Sequence, residues 1–220
     1  MPSEGGWMLE IRSFESLPST QRYLSDLVRT GAVTQPVAVL AREQSAGQGS
    51  RANRWESSRD DLLVSVAISL DRLPDDLPVQ SASIYFGWLM RQALRQAGAQ
   101  NVWLKWPNDL YCKEAKIGGV ITQKLKNFFI VGIGVNLKKN PKGYRALSTD
   151  ISALILLNIF WENVEKAPKW KQVLSEFRVE FDQHREAKAH TKTSRITLRD
   201  AVLCDDGSLE INGERIHSLR

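Results

Sequence analysis

The stretch Val102–Val120, VWLKWPNDLYCKEAKIGGV, brings a lysine, a carboxylate and an amide close to two adjacent glycines. It opens with an apolar run that reads as a strand. It then turns through Pro107-Asn108-Asp109, crosses a charged loop and re-enters apolar sequence at Lys116-Ile117-Gly118-Gly119. Proline fixes its own φ, and Asn and Asp side chains bond the backbone that follows, so the turn is expected to be rigid. Glycines in a strand leave one face open to a ligand or a second backbone. A lysine held against such a floor is suited to meet an anion. A hairpin with a solvated loop fits the same spacing.

Two further stretches repeat the glycine theme. Glu43–Trp55, EQSAGQGSRANRW, contains G-x-G-x-x-A with Asp71 downstream, which suggests a dinucleotide fold. That fold needs an amphipathic helix directly after the glycines, and Asn53–Asp61 offers only Trp55 as a large apolar residue, so the dinucleotide reading is rejected. Phe128–Leu137, FFIVGIGVNL, is an apolar strand interrupted by Gly132 and Gly134, with the Asn136 amide at its end. Glycine inside a strand is costly unless something approaches closely, and a bulge is the simpler explanation.

The elements that must carry these residues follow from periodicity. Trp7–Ile11 reads as a short strand. Ser19 is placed to cap a helix whose apolar face is Tyr23, Leu24, Leu27 and Val28, with Gly31 ending it. Pro36–Arg42 and the nearly continuous apolar run Leu62–Leu70 read as strands, the second buried on both faces. Ser81–Ala97 reads as a core helix closed by Gly98, and Trp170, Leu174, Phe177 and Phe181 form another helical stripe. Ser194–Arg220 has short β-type segments with a turn at Asp205-Asp206-Gly207-Ser208.

The 220 residues fit one medium domain with a small appendage, and the charged and apolar fractions are those of a soluble globular chain. No apolar run is long enough to cross a bilayer, and the N-terminus lacks the pattern of a secretory signal. Two isolated cysteines, Cys112 and Cys204, fit a reducing cytoplasm. The net charge of +5 is dispersed, and no basic helix, zinc finger or aromatic-basic repeat supports sequence-specific DNA binding. His184, His190 and His217 lack metal-ligand spacing and are expected to lie away from these motifs.

Lys105-Trp106-Pro107-Asn108-Asp109 followed by Lys116-Ile117-Gly118-Gly119-Val120 resembles the KWPND…K-x-x-G-[IV] signature of biotin–protein ligases. Gln44–Trp55 resembles their glycine-rich loop and Gly132–Asn136 their G-[IA]-G-[IV]-N strand, in the same order. The resemblance implies an α+β fold, a mixed sheet with helices related to class II aminoacyl-tRNA synthetases. A catalytic domain would cover residues 1–185, and an abbreviated SH3-like β segment residues 186–220. It implies an ATP- and Mg²⁺-dependent enzyme that forms biotinyl-5'-AMP and passes biotin to a lysine of the biotin carboxyl carrier protein of acetyl-CoA carboxylase. Ser19, Thr20, Gln21, Gln44, Gly47, Gln48, Gly49, Ser50, Lys116, Gly119, Gly132 and Gly134 would line the biotin site. Arg51, Asn53, Trp55, Asn108, Lys116 and Asn136 would face the adenylate. Lys116 and Asp109 would be catalytic, Asp109 meeting Mg²⁺ through ATP or the incoming lysine. Members often carry arginines where this chain has Gln48, Ser50 and Asn53, which leaves Arg51, Arg54 and Lys116 to hold phosphate. Homodimers are common among such ligases, and some members carry an N-terminal DNA-binding module and repress transcription; because the catalytic motifs start near residue 19, a ligase without repressor activity is expected.

Three alternatives stay open on the residues. A lipoate or octanoate ligase would share the adenylate chemistry, but polar partners at Ser19, Thr20 and Gln44 suit a ureido ring better than an aliphatic tail. A module that binds biotin without turnover fits if Gln48 and Ser50 cripple catalysis. A nucleic-acid binder rests on charge alone.

Overall fold

The structure is a computed structural model that describes residues 8–49, 55, 57–59, 61–138, 147, 150–190 and 195–217. A seven-stranded mixed sheet runs through it in the order β1-β2-β3-β7-β6-β5-β4. The strands are β1 (Glu10–Leu17), β2 (Val37–Gln44), β3 (Leu62–Ser69), β4 (Val102–Lys105), β5 (Asp109–Cys112), β6 (Ala115–Leu125) and β7 (Phe128–Val135). Only the β1–β2 pair is parallel, and helix α1 (Thr20–Thr30) makes the crossover between them. All other pairs in the sheet are antiparallel.

The first strand lies later than Trp7–Ile11, and Trp7 is outside the described residues. Parallel pairing of Glu10–Leu17 with Val37–Gln44 extends it over a stretch whose alternation is weak. As an edge strand it gains its order from one neighbour more than from a buried face of its own. The charged loop expected after Pro107 is also shorter: β5 and β6 pair up to Cys112 and Ala115, leaving Lys113-Glu114 as the turn, with Lys113 at φ 52°.

The two faces of the sheet are covered differently. Helix α1 closes one, its Leu24 and Val28 packing on Val37, Val39, Ala67 and Ile130. Each such fully buried side chain contributes about 1.5–3 kcal/mol relative to exposure. Ser19 caps this helix by accepting from Arg22 N, and Gly31 ends it at φ 80°. Helices α2 (Ala82–Gln96), α3 (Ala153–Glu165) and α4 (Trp170–Gln183) cover the other face around Tyr85, Phe86, Phe160 and Phe177. All four of these aromatics are fully buried.

The C-terminal residues form the pair β8 (Lys188–His190) and β9 (Arg195–Thr197), then a meander of β10 (Val202–Leu203), β11 (Leu209–Ile211) and β12 (Glu214–Ile216). The turn from 205 to 207 presents successive carbonyls to the larger layer. Trp170 Nε1 donates to Asp205 O at 2.8 Å, the Ser81 hydroxyl to Asp206 O, and Trp106 Nε1 to Gly207 O at 2.9 Å. Gly207 sits at φ 76°, and a Cβ there would lie 2.6 Å from Ser81 Oγ, so both conformation and space demand glycine.

Candidate active site

Most of the residues singled out by spacing meet at one cleft of about 470 Å³, counting the part open to solvent. Its wall comes from the start of α1, its floor from β6 and β7, and its rim from the loop after β2. Of the expected biotin-site residues, Ser19, Thr20, Gln21, Gln44, Gln48, Gly49, Lys116, Gly119, Gly132 and Gly134 line it. Gly47 lies just behind, its carbonyl accepting from Trp55 N at 3.0 Å. Ser50, Arg51, Asn53 and Arg54 lie outside the described residues.

One wall is a buried polar network. Gln44 Oε1 accepts from Thr20 N at 2.8 Å and from Thr20 Oγ1 at 3.2 Å. Thr20 Oγ1 lies 2.9 Å from Ser65 Oγ, which donates to Gln21 Oε1 at 3.0 Å. Gln21 Nε2 in turn donates to Ile130 O at 3.2 Å. Such a network holds Thr20, Gln21 and Gln44 in fixed orientations towards a polar ligand. Ser65 was not foreseen. It sits in the middle of an apolar run, and its hydroxyl is the only sequence cue.

Another part of the lining carries charge. Asp109 pairs directly with Lys105 across β4–β5 and with Gly119 across β5–β6. Its Oδ1 lies 2.6 Å from Lys116 Nζ, and its Oδ2 3.7 Å from Lys105 Nζ. Asn108 is clamped to β6 from both sides: Nδ2 donates to Val120 O at 2.8 Å, and its carbonyl accepts from Val120 N at 2.9 Å. The Trp106–Pro107 peptide is cis. Asn136 N donates to Ile117 O at 2.7 Å. Asp61 Oδ1 accepts from Leu137 N at 2.9 Å, and Oδ2 from Ser58 N at 2.7 Å, so this buried carboxylate ties the end of β7 to Ser58.

Three buried polar atoms lack a partner among the described residues: Asn108 Oδ1 and Trp55 Nε1 of the cleft, and Asn136 Oδ1, whose residue is not in the cleft lining. Asn108 Nδ2 spends one of its two N–H donors on Val120 O, and its Oδ1 is an acceptor that suits a hydroxyl or an amine. Trp55 offers a donor.

The glycines differ in what they admit. A Cβ on Gly119 would meet nothing closer than 3.5 Å, so no protein atom demands glycine there and a ligand can use the space. A Cβ on Gly132 would lie 2.6 Å from Gln21 Oε1, and one on Gly134 2.6 Å from Trp55 Cε2. Gly132 and Gly134 line the cleft and also make room for Gln21 and Trp55, which line it beside them. His184, expected away from the motifs, stacks on Trp103 at 3.8 Å and has a structural place beside β4. Among the described residues no group of three or more His, Cys, Asp or Glu could hold a metal ion.

Residues 13–140 match the profile of the biotin/lipoate A/B protein ligase family. Over 127 residues the chain is 32% identical to the bifunctional ligase/repressor BirA of Escherichia coli, covering 55% of this chain and 38% of that protein. It therefore spans less than half the length of that relative. Among solved structures it resembles the biotin acetyl coenzyme A carboxylase synthetase of Helicobacter pylori with bound biotinylated ATP. The TM-score is 0.90 at 36% identity, with 96% of this chain and 100% of that chain covered. It also shares the fold of the Leishmania major biotin protein ligase in complex with biotinyl-5-AMP, at TM-score 0.74 and 22% identity, over 96% of this chain and 99% of that one. This chain belongs to the biotin/lipoate A/B protein ligase family.

Proposed function

We propose that the protein activates biotin with ATP as biotinyl-5'-AMP and transfers the biotinyl group to a lysine of the biotin carboxyl carrier protein of acetyl-CoA carboxylase. The carrying observation is the cleft itself: a fixed network of Thr20, Gln21, Gln44 and Ser65 at one end and the Lys116–Asp109 pair at the other. The Helicobacter pylori relative, matched over its whole length, is described with biotinylated ATP bound.

The chemistry follows from charge. Carboxylate is a poor electrophile and needs activation. A biotin carboxylate oxygen attacks the α-phosphorus, the bond to the bridging oxygen of the β-phosphate breaks, and pyrophosphate leaves. Lys116, already a cation on the cleft wall, turns from Asp109 to the negative charge shared by carboxylate and phosphate. The carrier amine then attacks the acyl carbon and AMP departs. Asp109, released by Lys116, accepts the amine proton, and Asn108 Oδ1 faces the incoming N–H or a ribose hydroxyl. Magnesium enters with ATP as part of the substrate, and Asp109 would be the residue that meets it. The Trp55 indole over Gly134 shields the mixed anhydride from water. In this reading Arg51 and Asn53 bind the adenylate and Ser50 binds biotin.

The mixed sheet belongs in this proposal to the architecture shared with class II aminoacyl-tRNA synthetases. The meander β10–β12 is the SH3-like appendage, and the domain division falls near residue 185. The reaction is placed in the cytoplasm, with no DNA partner.

Pyrophosphate exchange into ATP tests the first step, with biotin, octanoate and lipoate compared for wild type and Lys116→Ala. Biotin-dependent exchange lost in the variant is the expected result. Exchange with the fatty acids alone would move the protein to the lipoate side of its family. No exchange with any acid from folded protein would refute the ligase reading.

A further inference from the structure

We infer that Lys105 is a positioning residue of this reaction: the fixed counter-charge of Asp109, which frees Lys116 for the substrate anion. The inference rests on the ligase reading above. It begins from an asymmetry between two lysines on one carboxylate. Lys116 Nζ is 2.6 Å from Asp109 Oδ1, and its side chain is 40% exposed towards the cleft. Lys105 Nζ is 3.7 Å from Oδ2, and its side chain is 9% exposed.

The buried lysine is held from its own side of the sheet. Lys105, Asp109 and Tyr111 share one face, as two-residue alternation and the direct pairing of Lys105 with Asp109 require. The Lys105 ammonium donates to Tyr111 Oη at 2.8 Å and lies 4.5 Å from the centre of that ring. Tyr111 leans on Trp103 at 5.0 Å, and Trp103 is stacked on His184 at 3.8 Å. Lys105 is thus fixed behind Asp109, and Lys116 swings in front of it.

The arrangement matters when an anion arrives. When Lys116 meets a phosphate, its charge is shared with that anion and its hold on Asp109 weakens. A carboxylate that is 19% exposed would then stand beside incoming negative charge with little water to screen it. Lys105 holds its place through that exchange, so the carboxylate keeps a cation. Without Lys105, Asp109 binds Lys116 more tightly in the empty site and repels the anion in the loaded one. Both effects oppose ATP binding.

The test uses the full chain and biotin-dependent pyrophosphate exchange, with ATP binding measured separately by calorimetry. Lys105→Met is expected to raise the ATP KM about tenfold, equivalent to ~1.4 kcal/mol, with kcat within about threefold of wild type. Lys105→Arg keeps the charge and is expected to stay within about threefold of wild type. Because Lys105 acts through Asp109, Lys105→Met introduced into Asp109→Asn should change the ATP KM by less than about twofold. Tyr111→Phe, which removes the anchoring hydroxyl, should move KM in the same direction, and it carries the test if Lys105→Met does not fold. An equal loss for Arg and Met, or an undiminished Lys105→Met effect in the Asp109→Asn background, would assign Lys105 to packing and overturn the inference. Unchanged ATP binding in Lys105→Met or Tyr111→Phe, with wild type active, would also overturn it and leave the ligase reading intact. A wild type silent with every acid brings down both.

Discussion

Gly134→Ala separates a cover from a core contact. The new Cβ would lie 2.6 Å from Trp55 Cε2, 2.8 Å from Nε1 and 3.0 Å from Cζ2. Carbon atoms settle at about 3.5–4.0 Å, so the indole must retreat by roughly 1 Å. The sheet is not free to yield, because Gly134 is paired on both sides, with Leu63 of β3 and Gly119 of β6. The indole lies outside the sheet, so it is the side that gives way. An indole buries about 200 Å², and losing a quarter of that cover costs ~1.3 kcal/mol at ~25 cal/mol per Å². Retention of biotinyl-5'-AMP should therefore fall about tenfold, with folding stability lowered by less than ~1 kcal/mol. The assay follows AMP release from preformed adenylate without acceptor, beside a urea melt of the same sample. A fall in stability of several kcal/mol with unaltered adenylate retention in the folded fraction would show that Trp55 is part of the core, and the reasoning would fail.

Other expectations follow from the same geometry. Ser65→Ala breaks the link between Thr20 and Gln21 and should weaken biotin binding about five- to twentyfold by calorimetry, with little change in ATP affinity. Glu180→Ala leaves Arg91 buried without its carboxylate and frees Leu104 N, at a cost of about 3–5 kcal/mol in denaturant unfolding. Gly207→Ala should lower stability by about 1–3 kcal/mol, and thermal melting will show whether it does. Burial pushes the Cys112 thiol above its ordinary pKa, so at neutral pH a thiol reagent should modify half-exposed Cys204 first and reach Cys112 only on unfolding.

What the sequence disclosed depended on how local the cause was. The cap at Ser19 and the left-handed stop at Gly31 depend on a few adjacent residues, and both stand as expected. The two-sided burial of Leu62–Ser69 left a nearly continuous apolar run and was equally plain. Asp109–Cys112 is too short to show a period, and its charged flank reads as loop until β4 and β6 pair with it. Ser65 stayed hidden for a related reason: in a strand buried on both faces, a polar residue breaks no alternation. The glycines at 132 and 134 correctly signalled close approach. That Gln21 and Trp55 occupy the space depends on contacts more than seventy residues apart in the chain, and no local pattern encodes them.

The turn at residues 205–207 also gives the molecule a timetable. Every strand of the large sheet, down to Val135, leaves the ribosome before these carbonyls do. Chains fold as they emerge, so the sheet and α1 can assemble while the acceptors for Trp106, Trp170 and Ser81 are still inside the exit tunnel. Trp106 adjoins Asn108 and Asp109 through one proline, and its indole finds its acceptor only when Gly207 arrives. The frame of the site is thus laid down early in translation, and its reactive corner is set late.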